Sequence, residues 1–480
     1  MLSWFSKIRT ALMVFACTAT PMSLTYADPD RIDPWSERAI TEHLDQSSFT
    51  GVLSKEELQK LIDFGETLFA ARFTSQDGAG RPMATQAIIP TKRKRLAPNT
   101  FQRTAGLDGN SCASCHNDPI MGGAGDFTTN VFVSEGFNNA DFDTTDPQFS
   151  NERNSNHLFG SGLVELLARE MSADLQAIRK QALAAARSTG DEHRLRLETK
   201  GIRFGWITAQ PDGLLELREI DGVDTDLVIR PFSQKGVMTS LRQFTVNALN
   251  HHHGMQPVER FGARWTGQTD FDEDGHGNEI SVGDVSALVA WQATLAPPGA
   301  KTPQDERWRA AAEQGSNVFD SIGCGQCHVR ALPLDSLVFD DPGKFDAAGT
   351  MRFAELEHPG AYDLGLMEWA SELSKNAQGQ VMVPLFGDLK RHKMTDRQIA
   401  AFGNELLSQR FVERAVFQTT ELWGIASTAP YGHRGDMTTL DEVIKAHGGA
   451  GRKSRDAYID LAAQDRSALI AFLKTLVIEE

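Results

Sequence analysis

At 480 residues the chain is long enough for two or three domains of ordinary size. Its 64 acidic residues outnumber 48 basic ones, a formal charge of −16 that argues against nucleic acid or an anionic membrane as partner. Five cysteines, one of them within the first twenty residues, leave no framework for structural disulfides.

The first thirty residues, MLSWFSKIRTALMVFACTATPMSLTYADPD, join basic Lys7 and Arg9 to an apolar run from Ala11 to Ala19, with Thr25-Tyr26-Ala27 before Asp28. This pattern reads as a secretory signal over residues 1–27, and the run is too short to span a bilayer. Cys17 after Val14-Phe15-Ala16 loosely resembles a lipoprotein processing site, against which bulky Phe15 argues. No later segment is apolar for long enough to form a membrane helix, so a soluble, exported chain is expected. Cleavage removes Lys7, Arg9 and Cys17, leaving the chain more acidic and the cysteines at 112, 115, 324 and 327.

Leu58, Leu61, Ile62 and Leu68 recur at helical spacing, with Gly65 four residues before Phe69. The basic run TKRKR at 91–95 reads as a solvated loop. The motif SCASCHNDP (111–119) follows, and GCGQCHV (323–329) repeats its spacing. Zinc calls for four grouped ligands, and neither motif has a second C-x-x-C or H-x3-H nearby. A thioredoxin-like pair needs no histidine at the next position. Covalent c-type haem needs this arrangement, two thiols for two vinyl groups and the adjacent imidazole for the iron. Cys112, Cys115, Cys324 and Cys327 therefore read as tethers, with His116 and His328 as axial ligands.

Between the first motif and residue 286 the chain carries long Asn-, Asp- and Gly-rich loops, a helical pattern near 163–187 and a strand-like patch near 214–229. Insertions of this kind build pockets or interfaces as readily as decoration. TDFDEDGHGNEIS sets Asp270, Asp272 and Asp274 at alternate positions, then Gly275, with Asn278 at the ninth place, which is part of a calcium loop. Its twelfth place holds Ser281 rather than a bidentate Glu, leaving Glu279 or Asp284 to substitute. SALVAWQATLAPP (286–298) is a closing helix, and Pro297-Pro298-Gly299 breaks the chain.

The second half repeats the plan. EQGSNVFDSIGCGQCH places Gly315 four residues before Phe319, and SALIAFLKTLVIEE (467–480) echoes the first closing segment, Phe472 standing where Trp291 stands. Glycine at 65 and 315 permits the opening and closing helices to cross closely. The expected fold is mainly α: two cytochrome c-like haem domains at 28–298 and 299–480, the first enlarged by loop and small β insertions. Forty-seven residues separate Gly65 from Cys112, against nine between Gly315 and Cys324.

Whether the second face of each haem is closed decides between carrier and enzyme, since an open iron can bind peroxide or dioxygen. The candidates are His157, His251, His252, His253, His392, His433 and His447, with Met255 and Met394 as thioethers.

ELWGIASTAPYGHRGDMTTLDEVIKAHGG (421–449) closely resembles the signature of the bacterial di-haem cytochrome c peroxidase superfamily, and most of all its di-haem or thiol oxidoreductase branch. RNSNHLFGSGLVE (153–165), RPFSQKGVMTSLRQF (230–244) and HHHGMQPVERFG (251–262) point to the same branch, and the likeness spans roughly 58–476. It implies a periplasmic oxidoreductase in which an electron-transferring C-terminal haem serves a peroxide-activating N-terminal haem. His447, at the position where the peroxidases carry methionine, is implied as the second ligand of the C-terminal haem, and histidine there lowers the potential. For the distal side of the N-terminal haem the resemblance nominates Glu165, Arg153 and His157 as catalytic groups; Glu135 is another option, and one of His251, His252 and His253, or Met255, is the candidate resting cap. It implies peroxide or another small oxidant, a periplasmic electron donor and calcium between the haem domains; Trp265 and Trp423 are candidate relays between the haems, and the sequence selects neither. A non-enzymatic di-haem carrier and a di-haem oxygenase or oxidase of partner proteins are the competing expectations.

Overall fold

The computed structural model describes residues 35–478 except 84–89, 93, 95–104, 106–108, 134–149, 346–348, 357–358 and 406–411. The signal segment and Glu135 lie outside the described residues.

Helix α1 (Lys55–Ala70) opens on a capping box, in which Ser54 Oγ accepts from the Glu57 amide while the Glu57 carboxylate accepts from the Ser54 amide. Leu58, Leu61, Gly65, Leu68 and Phe69 form its buried stripe. Helix α2 (Ser161–Thr189) stops at Gly190, whose φ of +75° suits glycine. Helix α3 (Leu241–Ala248) is capped by Ser240 and runs into a wide π-turn over Leu249–His253. Two single turns, α4 (Val258–Phe261) and α5 (Ala263–Thr266), lead past the acidic loop to α6 (Val282–Thr294). The second half contains α7 (Glu306–Ser321), α8 (Leu440–Lys445), α9 (Arg452–Asp460) and α10 (Ala463–Leu473).

Glycine lets the long helices meet. Helix α1 packs on α6 and α7 on α10. A Cβ on Gly65 would sit 2.0 Å from the Ala287 carbonyl oxygen, and one on Gly315 would sit 1.9 Å from that of Ala468. Among the described residues the two largest apolar cores are built, one on Leu58, Leu61, Leu167, Met171, Leu288 and Trp291, the other on Phe319, Tyr431, Tyr458, Leu469 and Phe472.

Helices outweigh strands, and the sheets are small. Strand β1 (Gly51–Val52) pairs in parallel with Gly360–Asp363, which pairs antiparallel with Val338–Asp341, so a segment before α1 is tied to one far beyond the second haem motif. Strands β2 (Thr128–Val133) and β3 (Ser150–Asn154) form an antiparallel pair. The strand patch expected near 214–229 lies earlier: β4 (His193–Thr199) and β5 (Ile202–Ala209) carry the sheet, and only β6 (Leu215–Glu216) falls inside the expected range. The reason is alternation. Leu195, Leu197, Ile202 and Phe204 direct one face onto α2, whereas 217–229 has no such period.

A buried polar hub joins these parts. Arg242 on α3 donates from Nη2 to Glu259, from Nη1 to Asp341 at 2.8 Å and to the Ser286 hydroxyl at 2.9 Å. Tyr362 adds its hydroxyl to Asp341 at 2.6 Å. Arg242, Glu259 and Asp341 are each at most 3% exposed, so the charges are matched where water cannot screen them. Among the described residues no helix is long and apolar enough to cross a membrane.

Candidate di-haem site

Both CxxCH motifs open into one cavity of about 1090 Å³, larger than the ~300–1,000 Å³ of a single small-molecule pocket. Cys112, Cys115 and His116 line one part of it, and Cys324, Cys327 and His328 line another. Each motif forms a short 3-10 turn directly before its histidine, with the His116 amide bonded to the Cys112 carbonyl and the His328 amide to the Cys324 carbonyl. That turn places two thiols and one imidazole on the same wall. Burial raises the thiol of Cys112 to about 12 and those of Cys115 and Cys324 to about 11. A redox-active C-x-x-C thiolate requires a shift in the opposite direction.

His447 stands across from His328. Their ring centres lie 6.5 Å apart, and an iron held about 2 Å from each of two imidazole nitrogens spaces the rings by roughly 6 Å. His328 Nδ1 bonds to the Phe386 carbonyl at 3.2 Å and His447 Nδ1 to the Val443 carbonyl at 2.7 Å, which leaves Nε2 of both rings for a metal. Burial and the neighbouring His447 pull the pKa of His328 down to about 4, so both rings are neutral donors at physiological pH. The donor set fits a haem with two histidine ligands.

The other candidate ligands have different surroundings. His433 is stacked on Phe417 at 4.6 Å beside the ion pair of Arg153 with Glu405. His392 bonds to Asp388 at 2.8 Å; burial works against its proton, yet Asp388 and Cys327 raise its pKa to about 10. Met394 lines the cavity. Met255 is fully buried in the first core and does not line it.

Of the three expected catalytic groups, Arg153 and His157 face the cavity and Glu165 does not. Glu165 is fully buried on α2, paired with Arg169, and accepts the Leu241 amide at 2.7 Å, so it holds the N-terminus of α3. Arg153 reaches across the two halves to Glu405, near Lys235 and His433. His157 Nε2 lies 3.2 Å from the Trp423 carbonyl oxygen, and burial lowers its pKa to about 4. Trp423 is 2% exposed on the cavity wall, whereas Trp265 is 46% exposed outside it. His251, His252 and His253 line the cavity from the π-turn. Arg260 and Asn247 line it too; the burial of an arginine has no sequence signal of its own.

A second cluster lies in the acidic loop. Carboxylate oxygens of Asp270, Asp272 and Asp274 come within 4.8 Å of one another. Asp272 is completely buried with neither oxygen hydrogen-bonded, and burial with Asp274 and Asp270 pushes its pKa up to about 8. Glu279, nearly buried, is raised well above the carboxylate range by burial and the same aspartates, and its Oε2 accepts the Gln256 amide at 2.6 Å. Asp284 is committed instead to capping α6 and to His43. Asn278 sits in the loop at φ +57°. The oxygen-rich set fits a hard divalent cation.

Residues along 78% of the chain align with Cytochrome-c peroxidase IdrP2 of Denitromonas iodatirespirans, 35% identical over 381 residues and covering 78% of that protein. The chain belongs to the di-haem cytochrome c peroxidase superfamily. Residues 368–476 of this superfamily member also match the family described as "Di-haem oxidoreductase, putative peroxidase". Cytochrome-c peroxidase IdrP1 of the same organism is 26% identical over 212 residues, 41% of this chain, and the alignment spans only half of that relative's length. Among solved structures, a MauG-like protein associated with microbial copper homeostasis is 20% identical over 57% of this chain and 79% of its own, with a TM-score of 0.29. Likeness at that level does not specify a fold.

Proposed function

We propose that this member of the superfamily is an exported, periplasmic di-haem oxidoreductase of peroxidase type, with cytochrome c-like domains at 28–298 and 299–480. Thioether bonds from Cys112 and Cys115 to one porphyrin, and from Cys324 and Cys327 to the other, hold two c-type haems. His116 ligates the first iron, and His328 with His447 the second. Iron bound this way supplies electron transfer at the C-terminal site and peroxide binding at the N-terminal one.

The single observation that carries this reading is the asymmetry of the shared cavity. His328 faces His447 at the separation of an iron-bridged pair. His116 has Phe69 as its ring neighbour at 6.0 Å and, among the described residues, no histidine in ring contact. One site is built to pass electrons and the other to admit a ligand. Arg153 and His157 supply charge and a hydrogen-bonding group to the wall between them, and Glu165 serves by anchoring α3. Buried Trp423, tied to His157, is the proposed relay. Calcium is the proposed occupant of Asp270, Asp272, Asp274 and Asn278, with Glu279 as the fourth carboxylate. Peroxide or another small oxidant is the substrate class, and a periplasmic donor supplies the electrons.

Electron paramagnetic resonance of the oxidised protein, joined to stopped-flow mixing of the reduced protein with hydrogen peroxide, tests the reading. One high-spin and one low-spin ferric centre with rapid reoxidation support it. Two low-spin centres with no peroxide reaction make the chain a carrier. A mass that lacks two added haems removes the premise.

A further inference from the structure

The segment that carries His447 has a counterpart in the first half, at a constant offset of 199 residues and without a gap. Pro231-Phe232 stands where Pro430-Tyr431 stands, Lys235-Gly236 where Arg434-Gly435 stands, and Met238-Thr239-Ser240-Leu241 where Met437-Thr438-Thr439-Leu440 stands. The backbones agree. Phe232 and Met238 exchange amide–carbonyl bonds at 3.2 Å each way, and Tyr431 and Met437 do so at 2.7 and 3.2 Å. The Gly236 amide closes on the Ser233 carbonyl at 3.0 Å, the Gly435 amide on that of Gly432 at 3.1 Å. Ser240 caps α3 through the Gln243 amide, and Thr439 caps α8 through that of Glu442.

In this register His447 corresponds to Ala248. Ala248 lines the cavity and offers no ligating atom. The first half delays its histidines: α3 and its π-turn continue past Ala248 to His251–His253. Four residues beyond Ala248, inside the π-turn, is His252. His253 beside it is engaged differently. His253 Nδ1 is 3.0 Å from the Gly109 carbonyl oxygen and its Nε2 is 3.6 Å from Cys112 Sγ, so it braces the haem-motif loop. His252 lines the cavity with Nδ1 buried and unbonded, and burial among His253, His251, His116 and Arg81 keeps it neutral. Arg260 lines the same cavity, 4% exposed, with Nη1 on Asn247 Oδ1 at 3.0 Å.

We propose that the N-terminal site is open at Ala248, where its twin is closed by His447, and that His252 with Arg260 forms the distal proton-transfer and charge-stabilising pair for a small oxidant bound there. The inference rests on reading that site as the peroxide site. Hydrogen peroxide, two electrons and two protons give two waters as the O–O bond breaks. The periplasmic donor supplies the electrons. The neutral imidazole of His252 takes the proton from the oxygen nearer the site and returns it to the oxygen that leaves, while Arg260 faces the charge developing on the latter. This replaces Glu165, which is occupied at the α3 terminus.

The test uses the holoprotein with His252→Ala, His252→Gln and Ala248→His, each checked for full haem content. Spin state is read by electron paramagnetic resonance, and rates are read by stopped flow with hydrogen peroxide and, separately, with cyanide, whose protonated form also needs a distal base. His252→Ala and His252→Gln are expected to keep the high-spin centre and to slow both reactions by ~100-fold or more, with added imidazole restoring part of the rate in the alanine variant. Ala248→His is expected to convert the high-spin centre to low spin and block cyanide. A wild-type low-spin N-terminal centre that becomes high-spin in His252→Ala makes His252 a ligand and overturns the proposal, as do unchanged rates in both His252 variants. Cyanide association involves no turnover, so wild-type protein that binds cyanide quickly but ignores peroxide defeats the peroxidase reading while the cyanide arm still decides the role of His252.

Discussion

Replacing Gly65 by alanine adds one methyl group where α1 crosses α6. That carbon would lie 2.0 Å from the Ala287 carbonyl oxygen, 2.6 Å from its carbon and 2.9 Å from Trp291 Cβ. The obstacle is backbone on a helix, not the loose end of a side chain, so the helices must part by about 1 Å. Leu61, Leu68 and Phe69 then face the closing helix across a gap that forfeits roughly a quarter to a half of each dispersion contact. Alanine returns about 1 kcal/mol of helix propensity. A net loss of about 2–4 kcal/mol is expected. The damage should also reach the site, because the Phe69 ring is 4.2 Å from Trp291 and 6.0 Å from His116. Urea unfolding followed by far-ultraviolet circular dichroism measures the loss as a lower midpoint at unchanged slope, with Glu66→Ala on the exposed face of the same helix as control. A Gly65→Ala protein that gains about 1 kcal/mol, the propensity gain alone, with an unaltered haem spectrum would show that the crossing has slack and refute the reasoning.

Arg242→Met strands Glu259 and Asp341 in the interior and should cost about 3–5 kcal/mol in the same assay. Calcium added to the metal-stripped protein should raise the unfolding midpoint, by about 2.7 kcal/mol at a hundredfold excess over the dissociation constant, and Asp272→Asn should abolish the rise. Asp396 accepts the Gln398, Ile399 and Gly449 amides and pairs with Arg452, bonds that hold its carboxyl well below the ordinary range. A depressed carboxyl contributes stability above its unfolded pKa and loses it as pH falls through the folded value. Asp396→Asn should therefore destabilise at neutral pH, and the difference should shrink below about pH 4 when midpoints are compared across pH.

Local pattern carried much of this architecture. The CxxCH spacing set two thiols beside a histidine in each half, and Gly65 and Gly315 announced the two helix crossings because a missing side chain at the same offset from Phe69 and Phe319 has one main use. The acidic loop was legible for the same reason, since alternate aspartates ahead of Gly275 are a short-range signal. What escaped depends on contacts between segments far apart in sequence. Glu165 looked like a distal base because it follows a distal-region motif, yet its direction is decided by Arg169 and by the start of α3, and no local period reveals that. The strands of 193–209 lie before the expected patch at 214–229, because their buried face is set by pairing and by packing on α2. Arg260, Glu405 and Lys235 are ordinary surface residue types, and only the packing shows them buried.

The short helix α3 divides its labour by face. Arg242 and Val246 point away from the cavity, one into the charged hub and one into the apolar core, and Glu165 fastens the leading turn. Phe244, Asn247 and Ala248 point into the cavity. Chemistry on the second face can thus be exchanged without disturbing the mounting on the first.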